Sequence, residues 1–440
     1  MNIANEDYLK LTGELLNRNR YRELINVCRE ALKLKPDNAE LHHRLGLALE
    51  RIHKLDEARS AEVEALRINP GHLAAQLILA KIDKRSGELE AARARLDKLQ
   101  YKNAPPKFKC DVFHELGNVC DRMGNYTMAF YYFTASNQEM LRMVDQNAIN
   151  PDTIFEWIEN YQQVFTPQFM KGWDRSEPAD NLPSPIFLVG FPRSGTTLTE
   201  QIITAGGDVW PTNEEPLIRE LIKFSPRVLG RPIDYPGDLS TLNEAELSKL
   251  RRHYWLLVEQ MAEIDTSDKS KRLLDKLPLN LIELGFIHRV FPRAPVVLVL
   301  RDPRDSCLSC FMNNFIPNQA MINFSNLGQT AKLYSAVMSY WLHLRTFISQ
   351  PVMEVHYEDI VEDFEGTTRP LFDFLGLEWT EAVANYHQHA GKRDVRTPSY
   401  TTISQPIFRS AVGRWKNYKS YMKNTENTLS PLVVEFGYAL

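Results

Sequence analysis

Arg193, Ser194, Gly195, Thr196 and Thr197 fall within one short run, Gly190-Phe191-Pro192-Arg193-Ser194-Gly195-Thr196-Thr197, which follows the apolar stretch Pro185-Ile186-Phe187-Leu188-Val189. A Gly-x-x-x-x-Gly loop between a strand and a helix turns successive backbone N–H groups and a helix N-terminus toward one anion. Loops that bind nucleoside triphosphates carry a lysine after the second glycine, and Thr196 stands there instead. An arginine comes earlier, at 193, and offers a planar fork suited to phosphate or sulfate. The run reads as an anion cradle for a donor other than a nucleoside triphosphate.

Other segments place charge just beyond apolar strands. In Arg301-Asp302-Pro303-Arg304-Asp305-Ser306-Cys307-Leu308-Ser309 the arginine leaves the strand Val296–Leu300 and Ser309 lies on the following helix, so both can face one anion. Leu274-Asp275-Lys276-Leu277 puts a lysine after a second strand, and Asn213-Glu214-Glu215-Pro216 follows the first helix of the region. Tyr357 ends Glu354-Val355-His356-Tyr357, and a C-terminal series runs Arg396-Thr397-Pro398-Ser399, Gln405-Pro406, then Ser410-Ala411-Val412-Gly413-Arg414-Trp415.

Taken in order, these motifs resemble the sulfotransferases that use 3′-phosphoadenosine 5′-phosphosulfate (PAPS), in particular the tyrosylprotein sulfotransferases and bacterial relatives that carry tetratricopeptide (TPR) repeats. The resemblance covers residues 185–440 and implies a PAPS-dependent O-sulfotransferase. It gives Arg193, Ser194, Gly195, Thr196 and Thr197 to the 5′-phosphosulfate, and Arg301, Ser309, Gly413 and Arg414 to the 3′-phosphate. By the same resemblance Tyr357 touches the adenine, Ser399 meets the phosphosulfate, and Lys276 bridges the sulfate and the leaving phosphate. Glu214, 21 residues after Arg193, matches the family's glutamate base, although the family's G-E-L-P is Asn-Glu-Glu-Pro here. Sulfuryl transfer needs a hydroxyl or phenol stripped of its proton and cations around the moving group, and no metal is required where Arg and Lys supply the charge. The alternatives are a P-loop kinase, against which Thr196 argues, and a non-catalytic nucleotide fold on a repeat scaffold. The acceptor stays open between peptide tyrosine, carbohydrate and a small hydroxylated metabolite.

The elements that must hold these residues alternate between strand and helix. Ile186–Val189, Arg272–Asp275, Val296–Leu300 and Val352–His356 read as strands, with Leu198–Thr204, Leu281–Phe291 and Gln329–Ser349 as helices between them. This predicts an α/β P-loop-like domain with a central parallel sheet and its ligands at the carboxyl ends of the strands. Pro226–Leu242 and the loop near Phe311–Ser325 are expected to line the acceptor entrance.

Upstream the pattern is a repeat. Ala31, Ala65 and Leu99, then Leu24, Ala58 and Ala92, and the pair Pro36 and Pro70 recur every 34 residues, the period of a TPR helix pair. The expectation is an all-α TPR solenoid over 1–145, a helical connector and linker over 146–184, and the sulfotransferase domain over 185–440. The aromatic stretch Phe155–Phe169 is expected to pack against the last of these. A protein or peptide acceptor in the TPR groove and a homodimer both remain open. The chain has 440 residues, 43% of them hydrophobic and 25% charged, with a net charge of −4; nucleic acid is not expected as a partner. No signal peptide or membrane span is read, and five cysteines fit the cytoplasm. Cys307 and Cys310 have no second pair to complete a zinc site and are expected to be structural.

Overall fold

Small residues set the order of the first unit, residues 1–145 with 312–314. The computed structural model describes residues 5–145, 148–173, 178–268, 270–387 and 411–440. Helices α1 (Asn5–Asn17), α2 (Tyr21–Leu34), α3 (Ala39–Arg51), α4 (Leu55–Ile68), α5 (Leu73–Arg85), α6 (Leu89–Asp97), α7 (Pro106–Arg122) and α8 (Tyr126–Leu141) make it all-α. The first helices of successive pairs restart at Asn5, Ala39 and Leu73 and the second helices at Tyr21, Leu55 and Leu89, the interval already marked by the small residues. Ala31, Ala58, Ala65 and Ala92 are buried. A Cβ on Gly46 would meet the Glu62 side chain at 2.5 Å, and one on Gly117 would meet the Phe133 ring at 2.7 Å. Neighbouring helices approach that closely only over a residue without bulk.

The same interior holds several ion pairs. Arg85 meets Glu50 at 2.5 Å, Lys84 meets Glu115 at 2.5 Å, and Asp83 lies between Arg59 at 2.5 Å and Arg95 at 3.0 Å.

The second unit, residues 146–311 and 315–440, is built on a five-stranded parallel sheet. Its elements in chain order are α9 (Thr153–Val164), β1 (Ile186–Gly190), α10 (Thr196–Thr204), β2 (Val209–Pro211), α11 (Leu217–Leu229), α12 (Glu244–Met261), β3 (Arg272–Lys276), α13 (Leu284–Val290), β4 (Val296–Leu300), α14 (Pro303–Phe311), α15 (Leu327–Leu344), β5 (Val352–His356), α16 (Tyr357–Glu362) and α17 (Phe364–Leu375). The strand order is β2-β3-β1-β4-β5, with Phe187 in register with both Asp275 and Val296. β1 and β4 are buried along their full length, as continuous apolar runs covered by helices on both faces should be. After β1 the chain pairs first on one side, with β3, and then on the other, with β4. The carboxyl end of β1 is therefore the crevice where parallel sheets hold ligands.

Four strands stand where the sequence put them. The fifth, β2, is short, ends in a proline and occupies the edge, where a missing N–H costs least. The start of the segment 226–242 belongs to α11, because Pro226 lies inside that helix. A proline there leaves the Ile222 carbonyl without its backbone donor, and the Ser225 hydroxyl donates to that carbonyl at 2.7 Å.

Residues 153–173, expected in a connector, belong to the second unit. Phe165 is fully buried, and its ring lies where a Cβ on Gly285 of α13 would be, at 2.5 Å. Its carbonyl is 2.8 Å from His343 Nε2 of α15, and Trp173 lies under the Arg289 guanidinium at 5.3 Å. Tyr161, Phe165 and Trp173 are buried in the core of the α/β unit. Among the described residues no helix is long and apolar enough to cross a membrane.

Candidate active site

The carboxyl ends of β1, β3, β4 and β5 deliver Gly190, Lys276, Leu300 and His356 to one edge of the sheet, and the candidate residues follow at once. Gly190 leads into the loop. Gly195, with φ +110°, caps α10, which begins at Thr196. A Cβ on Gly195 would meet the Tyr357 ring at 2.7 Å, so the cradle requires glycine for both reach and conformation. Thr196 is buried and Thr197 half-buried in the first turn of α10.

Arg193 takes φ +69°, a left-handed conformation uncommon for arginine. It turns the guanidinium toward α14, where Nε donates to Ser309 Oγ at 3.2 Å. Arg301 closes the same corner from the end of β4: Nη1 donates to the Arg193 carbonyl at 3.0 Å, and Nη2 donates to the Ala411 carbonyl. Tyr357 lies beside it, its ring centroid 5.0 Å from the Arg301 guanidinium. Burial pulls the Arg193 pKa down, and the charges of Arg301 and Arg414 add to the effect. Ser194 Oγ and Arg301 Nε are buried without a hydrogen-bond partner among the described residues. Buried polar atoms left unmet in a crevice of converging cations are what an anionic ligand would satisfy.

Supports for this corner went unread in the sequence. Asp305, 1% exposed, accepts from the backbone N–H of Gly413 at 2.7 Å and of Trp415 at 2.8 Å, and so holds the Gly413-Arg414 turn against α14. Gly413 has φ +69°. Arg304 pairs with Asp302 at 2.8 Å and lies 3.8 Å over the Trp415 ring. Cys310 donates its thiol to the Pro192 carbonyl at 3.2 Å, and burial raises the pKa of both Cys307 and Cys310. A buried aspartate on a helix gives no signal in a motif scan; only its spacing of four from Arg301 hints at a shared face.

A second cluster lies across β1, at the end of β3. Thr212 accepts from the Lys276 backbone N–H at 3.2 Å and starts a turn in which Asn213 and Glu214 are both left-handed, with φ 55° and 66°. This turn brings the Glu214 carboxylate onto Lys276 Nζ. Lys276 is fully buried and also meets Glu200 of α10 at 3.0 Å. Burial would lower its pKa, yet the two carboxylates outweigh that and hold it above the ordinary value. Asp275, the preceding residue, points to the other face of the strand. It accepts from Tyr254 at 2.8 Å and Asn280 at 3.2 Å, and burial pushes its pKa up to about 7.

Arg193, Ser194, Gly195, Thr196, Arg301, Ser309, Tyr357, Gly413 and Arg414 thus gather around the β1 loop, and Glu214 and Lys276 touch one another. Ser399 and the run 388–410 lie outside the described residues.

The model of the "Sulfotransferase family" matches residues 185–381. An uncharacterized protein from Aquifex aeolicus is 26% identical over 95% of this chain, which spans 54% of that relative's length. Protein-tyrosine sulfotransferase 1 of Danio rerio is 24% identical over 58% of this chain and 72% of its own length. Among solved structures, the sulfotransferase domain from the Synechococcus PCC 7002 olefin synthase aligns with 61% of this chain and 98% of its own, at 19% identity and a TM-score of 0.39. The loop, the parallel sheet and the corner after β4 all lie within residues 185–381, the segment that the sulfotransferase-family model matches.

Proposed function

We propose that this chain is a PAPS-dependent O-sulfotransferase that moves a sulfuryl group onto a hydroxyl or phenol, with Glu214 as the base. The observation that carries the reading is a pair of buried donors, Ser194 Oγ and Arg301 Nε, with no partner among the described residues, in a crevice shaped by Arg193, Ser309 and the glycine-capped start of α10. These residues suit a ligand with two separate anionic ends. The loop and Arg193 would hold the 5′-phosphosulfate, and Arg301, Ser309 and Arg414 the 3′-phosphate. The donor supplies an activated sulfur–oxygen bond to a phosphate leaving group.

The protein's own part is electrostatic and acid–base. Glu214 takes the acceptor's proton as the acceptor oxygen bonds to sulfur. The bond from sulfur to the phosphate oxygen breaks, with its electron pair leaving on 3′-phosphoadenosine 5′-phosphate. Lys276, Arg193 and Ser399 balance the charge that builds on the leaving oxygen. Among the acceptors, peptide tyrosine draws support from the protein-tyrosine sulfotransferase relatives, with carbohydrates and small hydroxylated metabolites as alternatives. We read the paired helices of the first unit as TPR repeats that recruit the acceptor or join two copies. Five free buried cysteines fit the cytoplasm.

The test is incubation of the purified protein with PAPS and a phenolic or peptide acceptor in EDTA. Sulfated acceptor and 3′-phosphoadenosine 5′-phosphate in equal amounts support the reading. Turnover that depends strictly on ATP and Mg²⁺ would replace it with a kinase.

A further inference from the structure

One turn into α10, beyond the cradle it caps, a glutamate faces inward. Glu200 is 4% exposed, a setting in which a carboxylate is costly unless it is paired. Its partner is Lys276, whose ammonium it meets at 3.0 Å. Lys276 also holds Glu214, so two carboxylates share one buried ammonium.

The two carboxylates are not equivalent. The Glu200 side chain is 5% exposed on a regular helix, and that of Glu214 is 32% exposed on a left-handed turn. One is fixed by packing and the other can reach toward solvent. A lysine on a flexible four-carbon stem takes its position from its partners. With Glu214 alone, it would lose its only counter-charge whenever Glu214 became protonated, and burial would then favour the neutral amine.

We propose that Glu200 is a positioning residue for the transfer site, the fixed anchor that keeps the Lys276 ammonium charged and in place while Glu214 leaves it for the acceptor's proton. The inference rests on the transferase reading for its kinetic consequence alone. Because Glu200 sits on the helix that starts at the cradle, the anchor also ties the β3 lysine to the frame of the phosphate loop. Among the described residues, the charged groups that face Lys276 are Glu200 from α10 and Glu214 from the turn after β2. On its own strand Asp275 is engaged elsewhere, by Tyr254 of α12 and by Asn280.

The experiment compares full-length wild type with Glu200→Gln and Glu200→Asp. It uses three readouts: turnover against pH, calorimetric affinity for 3′-phosphoadenosine 5′-phosphate, and titration of the Lys276 Nζ resonance in donor-free protein, assigned through Lys276→Arg. The expected result for Glu200→Gln is a loss of about 10- to 100-fold in kcat, as for a misplaced catalytic group, with product affinity within about threefold. The alkaline limb of kcat and the Nζ titration should both move to lower pH, and Glu200→Asp should restore part of each. An unchanged Nζ titration in Glu200→Gln overturns the proposal. So does a fall in kcat that tracks lost thermal stability and is not restored by Asp. If wild type transfers no sulfuryl group, the transferase reading fails, while the Nζ titration still decides whether Glu200 anchors the lysine.

Discussion

In the helical unit Lys84 meets Glu115, Arg85 meets Glu50, and Asp83 lies between two arginines. At the carboxyl ends of β1 and β4 the pattern is reversed, because Arg193 lies in the fields of Arg301 and Arg414, and two buried donors have no partner among the described residues. Opposite charges that close on each other serve the fold, and removing one leaves a buried charge uncompensated. Like charges that converge are poor for stability and useful for holding an anion. The Glu200–Lys276–Glu214 cluster stands between these cases: two of its members are locked and the third is exposed enough to leave.

Substitutions can break this contrast or sharpen it. The largest change is expected at Glu214: replacement by Ala should cost about two to four orders of magnitude in turnover and leave affinity for 3′-phosphoadenosine 5′-phosphate intact. Glu215→Ala should be mild, and steady-state kinetics showing the reverse would mean that the neighbouring carboxylate is the base. Next comes Lys84→Met, which strips Glu115 of its partner and should destabilise the protein by about 3–5 kcal/mol in urea unfolding. Arg301→Met should shift the balance from stability to binding. Product affinity should fall by about 10- to 100-fold, in line with lost charge-assisted hydrogen bonds, while the thermal midpoint falls by less than that of Lys84→Met. A midpoint that drops as far as that of Lys84→Met would erase the distinction between structural and ligand-holding cations.

The smallest effect is a difference in sign with pH. Burial would raise Glu115, but Lys84, Lys81 and His114 outweigh it and hold its pKa at about 2, so its contribution is present above the unfolded value and is lost as pH falls through about 2. Asp275 behaves oppositely. Burial raises it to about 7, the fold keeps a proton that the unfolded chain has released, and stability from this group fades as pH rises from about 4 through 7. Each group can contribute a slope of at most about 1.4 kcal/mol per pH unit inside its window. Asp275→Asn should flatten the urea midpoint between pH 4 and 7 relative to wild type. An unchanged slope would show that another group carries it.

Much of this was legible in the chain because backbone geometry leaves a spacing. The loop at 190–197, Arg301 with Ser309, and Lys276 after β3 were found from motif order, and the four long strands from their apolar runs. β2 was not, because a short edge strand ending in proline lacks both length and alternation. The run of α11 through Pro226 was silent for a related reason: only a neighbour such as Ser225, whose hydroxyl meets the orphaned carbonyl, lets a helix continue through a proline. Glu200 and Asp305 were silent because a helix-borne carboxylate looks alike whether it faces solvent or a buried cation. The aromatic stretch Phe155–Phe169 reads as an apolar surface that packs on the next domain, but sequence alone does not show that Tyr161 and Phe165 belong to the α/β core itself.

The left-handed turns at Arg193 and Glu214 carry a consequence for engineering. Both positions adopt a backbone conformation that glycine adopts without strain and that costs other residues about 1 kcal/mol or more. A library selected only for thermal tolerance would therefore be drawn toward glycine at these two sites, giving sturdier molecules with neither the loop arginine nor the carboxylate. Stabilising this protein without silencing it means holding positions 193 and 214 fixed and looking for gains elsewhere.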